Sequence, residues 1–544
     1  MTEVLGKLRR LLQPTGYSHR SIGVSVPRLP LLWLAGLAVA ALLLTPVFYL
    51  LLRILQADAE IWSLILSGST LATLGRTVLL AGAVTLISTV VALPIAWLTV
   101  RTDLPFKRLW ALLTALPMVI PSYVGAYLIV ASLGPRGMLA QLIEQVLNIE
   151  SLPSIYGFPG SLYVLTLLSY PYILLTLRAG LQGIDPALEE TSRSLGHGPW
   201  ATFRKVTLPQ LRPALASGSL LIALYVLRDF GAVSIMRYNT FTRVIYIQYK
   251  SAFDRTSAAG LALLLVLLTL TILFIEMRTR SRASFERSSN KRNGAPRIVR
   301  LGRWRLPALG FCIGIVTLSL LIPLSVLLFW LVRGLKAGET LLPLWEAAGN
   351  SILASVLTAV VTLIAAIPAV ILSVRRSGQW HQIPERLTYT AFALPGIVVA
   401  LALVFFGANF APALYQTLAI LILAYLILFL PQAVGSLQTS LLQVPQSLEE
   451  AARGMGRKPW NVFIRITLPL LRPGALAGMA LVFLTTMKEL PATLILSPYN
   501  FSTLATRVWS AVSEAFFAQA AAPALLIVLT SSLPMAFILF KERT

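Results

Sequence analysis

Apolar residues run along this chain in long blocks, broken by short polar stretches rich in Gly, Pro, Arg and Lys. A helix needs about 20 apolar residues to cross a hydrocarbon core. By that measure the first half holds six candidate spans, at about 30–55, 71–100, 108–133, 161–180, 211–236 and 257–277. The second half holds six more, at about 307–332, 350–374, 387–408, 413–435, 473–496 and 520–540. Several exceed the minimum length, which fits tilt or kinks at Pro94, Pro117 and Pro395. The pattern predicts an all-α integral membrane protein with 12 transmembrane helices in two six-helix repeats.

The polar stretches set the topology. Between Arg278 and Arg305 lie ten Lys or Arg and one acid, Glu286, with no apolar periodicity. That composition predicts a flexible basic linker over 278–306, dividing repeat 1 (30–277) from repeat 2 (307–544). Basic residues recur at Arg9, Arg10, Arg101, Lys107, Arg108, Arg375, Arg376 and Lys541, all on one side of a twelve-span arrangement. The positive-inside bias makes that side cytoplasmic, together with both termini and the tail 1–29. The loop 56–70, with Asp58 and Glu60 and no Lys or Arg, falls outside. Segment 236–256 runs against the bias, with Arg237, Arg243 and Lys250 on the outer side. The first 29 residues do not read as a secretory signal, because the first span is too long and no small-residue cleavage site follows. Leu5–Leu12 reads either as a surface amphipathic helix or as disorder. Six spans per half give both repeats one orientation, so they are parallel, related by a pseudo-two-fold axis along the membrane normal.

Composition narrows the chemistry. With 57% hydrophobic and 12% charged residues the chain is polytopic, since a soluble surface needs roughly 25% charged residues. The net charge of +24 is carried by the linker and the cytoplasmic loops, which argues against nucleic acid as a partner and for the lipid bilayer. A single cysteine, Cys312, excludes a disulfide framework, a zinc cluster and an iron–sulfur site. His19, His197 and His381 are scattered among loops and read as solvated residues, so no resident cofactor or stable metal is expected.

One polar loop occurs twice. Residues 188–213 align without a gap on 448–473, matching 14 of 26 positions. The matches include Glu189-Glu190/Glu449-Glu450, Gly196/Gly456, Trp200/Trp460 and Leu208-Pro209/Leu468-Pro469. Glu and small residues followed by Gly predict a short helix ended by a left-handed cap. Pro199 and Pro459 suit the first turn of a second short helix, with Trp200/Phe203 and Trp460/Phe463 on one face. An ordinary amphipathic interface segment is the plainer reading, but its duplication with polar and apolar positions both kept argues for two equivalent docking points. A partner that engages both would be a two-fold dimer.

The second loop, Glu450-Ala451-Ala452, Gly456 and Ile466-x-Leu468-Pro469, resembles the EAA signature of ABC-importer permeases. The first matches with Thr191-Ser192 in place of the two alanines and Val206 in place of Ile466. The resemblance implies the type I ABC importer permease fold. It also implies that Glu190, Gly196, Glu450 and Gly456 carry coupling to a homodimer of cytoplasmic ATPases. The chain has no Gly-x4-Gly-Lys-Ser/Thr, so ATP and Mg are expected on that separate ATPase. Substrate capture would fall to a periplasmic binding protein, and the location is a bacterial inner membrane.

The repeat continues past the loop. Arg228-Asp229 aligns with Lys488-Glu489, which places a basic–acidic dipeptide deep in an apolar span of each half. Intramembrane charges cost several kcal/mol unless paired or facing a cavity, so these are candidates for the translocation path or gate. Adjacent residues on a helix point about 100° apart, so each pair is expected to meet other partners. They serve either as ion pairs between helices or as path-lining carboxylates that favour a cation. The phrases around Arg228–Ser234, Arg237–Thr242, Lys488–Thr493 and Asn500–Thr506 resemble fused permeases of ferric-iron importers. That resemblance implies ferric iron as substrate, with Asp229, Glu489 or nearby tyrosines as transient oxygen ligands. Thiamine or another small cation is the alternative. An ion-coupled secondary transporter would not need the duplicated loop, and no catalytic constellation supports an enzyme.

Overall fold

Leu, Ile, Val and Ala fill the apolar blocks, and in lipid their backbone groups must be satisfied within each segment, so the blocks fold as helices. The computed structural model describes residues 30–55, 59–135, 137–251, 254–283, 298–339, 342–375, 387–388 and 394–541. The expected tail 1–29, most of the linker, Asp58, Arg376 and His381 lie outside the described residues.

Repeat 1 comprises α1 (Pro30–Leu55), α2 (Gly68–Arg101), α3 (Ser122–Leu133), α4 (Phe158–Gly183), α5 (Pro186–Ser194), α6 (Leu208–Arg228), α7 (Gly231–Ile235) and α8 (Arg255–Ala283). Repeat 2 comprises α9 (Arg305–Val316), which passes through a π turn into α10 (Ile322–Lys336), then α11 (Leu342–Arg375) and α12 (Gly396–Phe410). It continues with α13 (Leu418–Leu442), α14 (Gln446–Gly454), α15 (Leu468–Met487), α16 (Pro491–Leu496) and α17 (Phe517–Lys541). Ten described segments are long and apolar enough to cross a membrane, and two shorter apolar helices, Gly396–Phe410 and Phe517–Ser532, complete the expected twelve.

The centre departs from uninterrupted spans. The span expected at 108–133 is broken at Pro117 and Pro121. A short helix, Lys107–Leu113, and a 3-10 turn, Leu116–Val119, precede α3. Pro395 likewise caps α12, whereas Pro94 stays inside α2. At 12 and 15 residues, α3 and α12 are too short to span about 30 Å of hydrocarbon alone. They form the middle of the molecule, with Tyr123–Ser132 and Gly396–Val404 buried throughout. Since a helix apolar on every side could equally face lipid, it is their burial that places α3 and α12 inside the bundle.

The halves interlock around them. Tyr49 on α1 packs on Phe405 of α12, with ring centroids 4.9 Å apart. The Tyr127 hydroxyl on α3 donates to the Phe517 carbonyl at 2.7 Å. Phe230 stacks at 5.1 Å on Trp509 of the other half. Exposed Leu and Val side chains on the outer helices, such as Leu37, Leu86 and Leu328, form the lipid-facing belt. Where the linker rejoins the described structure, the Val299 N–H donates to the Arg101 carbonyl at 2.7 Å. That tie fixes the linker's end on the same side as the duplicated loop, whose first helix also meets Arg101.

The outward cations on 236–256 are occupied locally. Arg237 lies over the Tyr156 ring, Lys250 over Tyr246, and Arg243 donates to Asn239. The positive charges of this segment thus lie against aromatic faces or an amide.

Candidate functional site

Each duplicated loop folds as two short helices joined at a left-handed glycine. Helix α5 starts on Asp185, whose side chain accepts from the Ala187 N–H at 3.0 Å, whereas α14 starts on Pro445 without a side-chain cap. Both end in a Schellman arrangement. The His197 N–H reaches the Ser192 carbonyl at 3.2 Å, and Arg457 reaches Ala452 at 3.2 Å. Gly196 (φ +86°) and Gly456 (φ +80°) hold the left-handed positions. Pro199 and Pro459 open the next turn, and a π turn over Phe203–Thr207 and Phe463–Thr467 feeds α6 and α15. The expectation from sequence holds in both copies.

The glutamate pair divides into two roles. Glu189 and Glu449 are buried. Glu189 takes Arg101 at 3.5 Å and the Thr207 hydroxyl at 2.9 Å. Glu449 takes Arg375 at 3.0 Å and the Thr467 hydroxyl at 3.1 Å. The same arginines donate onward to the Leu181 and Val444 carbonyls. These two glutamates therefore brace the loop against the ends of α2 and α11 and are not available for docking. Glu190 and Glu450 are exposed, as are Thr191 and Ala451. Trp200 and Trp460 project 72% and 67% exposed, each stacked on the inward Phe203 or Phe463. Leu195 and Met455 stand beside them at 74% and 76%. Leu208, Pro209 and Pro469 are half-buried at the roots of α6 and α15, with Leu468 slightly more open. The substitution of Ala452 by Ser192 is balanced, because the Ser192 hydroxyl meets Thr202 at 3.2 Å where the second copy has the apolar pair Ala452 and Val462.

Helices α6 and α15 carry the chain about 30 Å from the loops to the two charged dipeptides. Here the structure corrects the sequence reading. Arg228 and Asp229 do not share a continuous helix, since α6 ends at Arg228 and Asp229 is extended. The Asp229 carboxylate is buried and accepts from the Ala232 and Val233 N–H groups at 3.0 and 3.3 Å, and it is hydrogen-bonded to Ser122. Its side chain thereby caps α7 from the residue before the N-cap, Phe230. Glu489 caps α16 through the Ala492 N–H at 3.2 Å, and its carboxylate lies against Gly396. The two solutions are complementary: Asp with Ser122 at the start of α3, and Glu with Gly396 at the start of α12. Glu489, Lys488 and Arg228 stay partly accessible, whereas Asp229 does not.

Both basic residues reach across the seam between halves. Lys488 donates to the Met118 carbonyl at 3.0 Å, and Arg228 is within electrostatic reach of Glu489. No sequence pattern singles out the tyrosines that stand here. Tyr172 and Tyr225, with rings 5.4 Å apart, flank Arg228 and Asp229, and Tyr123 and Tyr425 flank Glu489. From sequence, Arg101 and Arg375 also read only as topological charges. Their position at the ends of two 34-residue helices was the available signal for a structural role. Among the described residues no cluster of three or more His, Cys, Asp or Glu could hold a metal ion.

Two parallel six-helix repeats, two loops exposed on one side and a broken-helix centre define a membrane permease. The chain belongs to the family described as binding-protein-dependent transport system inner membrane component, which matches residues 65–281 and 362–540. It is therefore a multi-pass inner-membrane transport protein and not an enzyme. Among its relatives is the Fe(3+)-transport system permease protein FbpB 2 of Haemophilus influenzae, 34% identical over 95% of this chain and 99% of that protein. The ferric transport system permease protein FbpB of Actinobacillus pleuropneumoniae is 24% identical over 89% of this chain and 73% of its own length. The molybdenum transport system permease protein ModB of Escherichia coli is 29% identical, over 33% of this chain and 80% of its own.

Proposed function

We propose that this chain is the permease subunit of an ATP-driven importer that carries ferric iron, received from a periplasmic binding protein, into the cytoplasm. A separate two-fold ATPase, which binds ATP and Mg, engages both exposed loops from the cytoplasmic side, where both termini also lie. Closure of that dimer moves α5 and α14. The buried Arg101–Glu189 and Arg375–Glu449 pairs keep each loop rigid against its repeat, so the displacement passes along α6 and α15 to the broken-helix centre. The observation that carries the coupling reading is this brace and knob, built twice with the same partners. The observation that supports iron is the similarity to a ferric permease along nearly the whole of both chains.

The test is uptake in vesicles that hold this chain with the ATPase and binding protein encoded beside it. Labelled ferric ion and labelled thiamine are supplied in parallel, with and without internal ATP. ATP-dependent uptake of iron alone is expected. Uptake of thiamine alone would keep the coupling loops and remove the metal.

A further inference from the structure

We propose that Tyr123, Tyr425 and Glu489 form an oxygen-donor station at the seam between the repeats, through which a ferric ion passes on its way across; this rests on the importer reading above. Tyr123 comes from α3 of repeat 1, and Tyr425 and Glu489 come from repeat 2. Both phenols are buried, at 2% and 1% exposure. Tyr425 is tied to Glu489 through the Thr493 hydroxyl, and Tyr123 lies within electrostatic reach of both.

Hydrogen bonding leaves these oxygens open to a cation. The Tyr123 hydroxyl has no partner among the described residues. A buried hydroxyl left so costs about 1–3 kcal/mol, and Phe in its place would avoid that cost. Tyr425 meets the Thr493 hydroxyl at 2.6 Å, and Thr493 itself donates to the Glu489 carbonyl at 2.6 Å. Tyr425 must then be the donor to Thr493, which leaves the lone pairs of its own oxygen unused. The Glu489 carboxylate accepts one backbone N–H and is partly accessible, unlike Asp229.

The other half supplies an internal control. The position equivalent to Tyr425 is Leu165, that of Thr493 is Val233, and that of Tyr123 in repeat 2 is Ile397. All three are buried apolar residues. The fold therefore needs no phenol at these three places, and repeat 1 sets a different pair, Tyr172 and Tyr225, beside Asp229. A hard trivalent cation selects oxygen donors such as carboxylate and phenolate. Each phenol that ligates gives its proton to water in the opened path as the metal–oxygen bond forms, and regains it when the ion leaves. No electron is transferred. Arg228 lies within electrostatic reach of Glu489 and supplies counter-charge to it.

The test uses the full transporter in vesicles and the purified permease in nanodiscs, comparing wild type with Tyr123→Phe, Tyr425→Phe and the double variant. Ferric citrate is the probe. Wild type is expected to show a visible phenolate-to-iron charge-transfer band and ATP-driven uptake. The double variant should lose the band and at least about tenfold of the uptake, while Tyr123→Phe alone keeps or raises the melting temperature, because its hydroxyl has no partner to lose. A structural role for the hydroxyls predicts no loss of uptake from Tyr123→Phe alone, because the Tyr123 hydroxyl bonds to nothing among the described residues. A wild type that imports iron without the band, or a double variant that imports at the wild-type rate, overturns the station and leaves the importer standing. A wild type that imports thiamine and no iron overturns both.

Discussion

Asp229 and Glu489 differ by one methylene, and their neighbours differ to match. A Cβ built on Gly396 would stand 2.5 Å from Glu489 Oε1, a contact that forces a shift. Ser122 occupies the corresponding place beside the shorter Asp229. Gly396→Ser alone should therefore destabilise the permease by about 1–3 kcal/mol through overpacking. Combining it with Glu489→Asp recreates the repeat 1 pair and should restore much of the loss. Thermal unfolding in detergent reads both, and a single variant as stable as wild type would contradict the packing argument. Sequence showed that each half carries an acid in an apolar span, because the cost of burying charge makes such residues conspicuous. It did not show that Asp229 caps a helix, because the break at Asp229 depends on Ser122 and Tyr123, more than a hundred positions earlier.

At the scale of elements, the duplicated loop was legible because its helices are made by local signals: Pro at a first turn, Gly at a left-handed cap, Glu near a helix start. Its brace was not. Glu189 and Glu450 look alike in a string, yet one is held by arginine inside the protein and the other faces water. The partners also follow a different spacing. Glu189 and Glu449 are 260 positions apart, whereas Arg101 and Arg375 are 274 apart. The difference lies between α3 and α4, where repeat 1 carries an extra helix, Met138–Leu147, that hides the earlier half of the duplication from a single offset. The distinction predicts that Glu189→Gln or Glu449→Gln lowers stability by about 2 kcal/mol. Glu190→Gln and Glu450→Gln should leave the melting temperature unchanged. Equal effects at both positions would remove the brace.

At the scale of the whole molecule, the halves are two similar devices that meet at α3 and α12, each first helix crossing onto the other half's elements. The parallel arrangement followed from counting spans alone, whereas the interlock rests on contacts such as Tyr49 with Phe405 and Tyr127 with Phe517, which no periodicity encodes. In the proposed function, two exposed loops transmit ATPase closure to a centre about 30 Å away. The most direct measurement is ATP-driven iron uptake by wild type beside Trp200→Ala, Trp460→Ala and the double variant, with ATPase co-purification read on the same preparations. The exposed indoles can be removed without opening the core, so melting temperatures should stay level while co-purification and uptake fall, most in the double variant. A double variant that retains its ATPase and imports iron at the wild-type rate would contradict the claim.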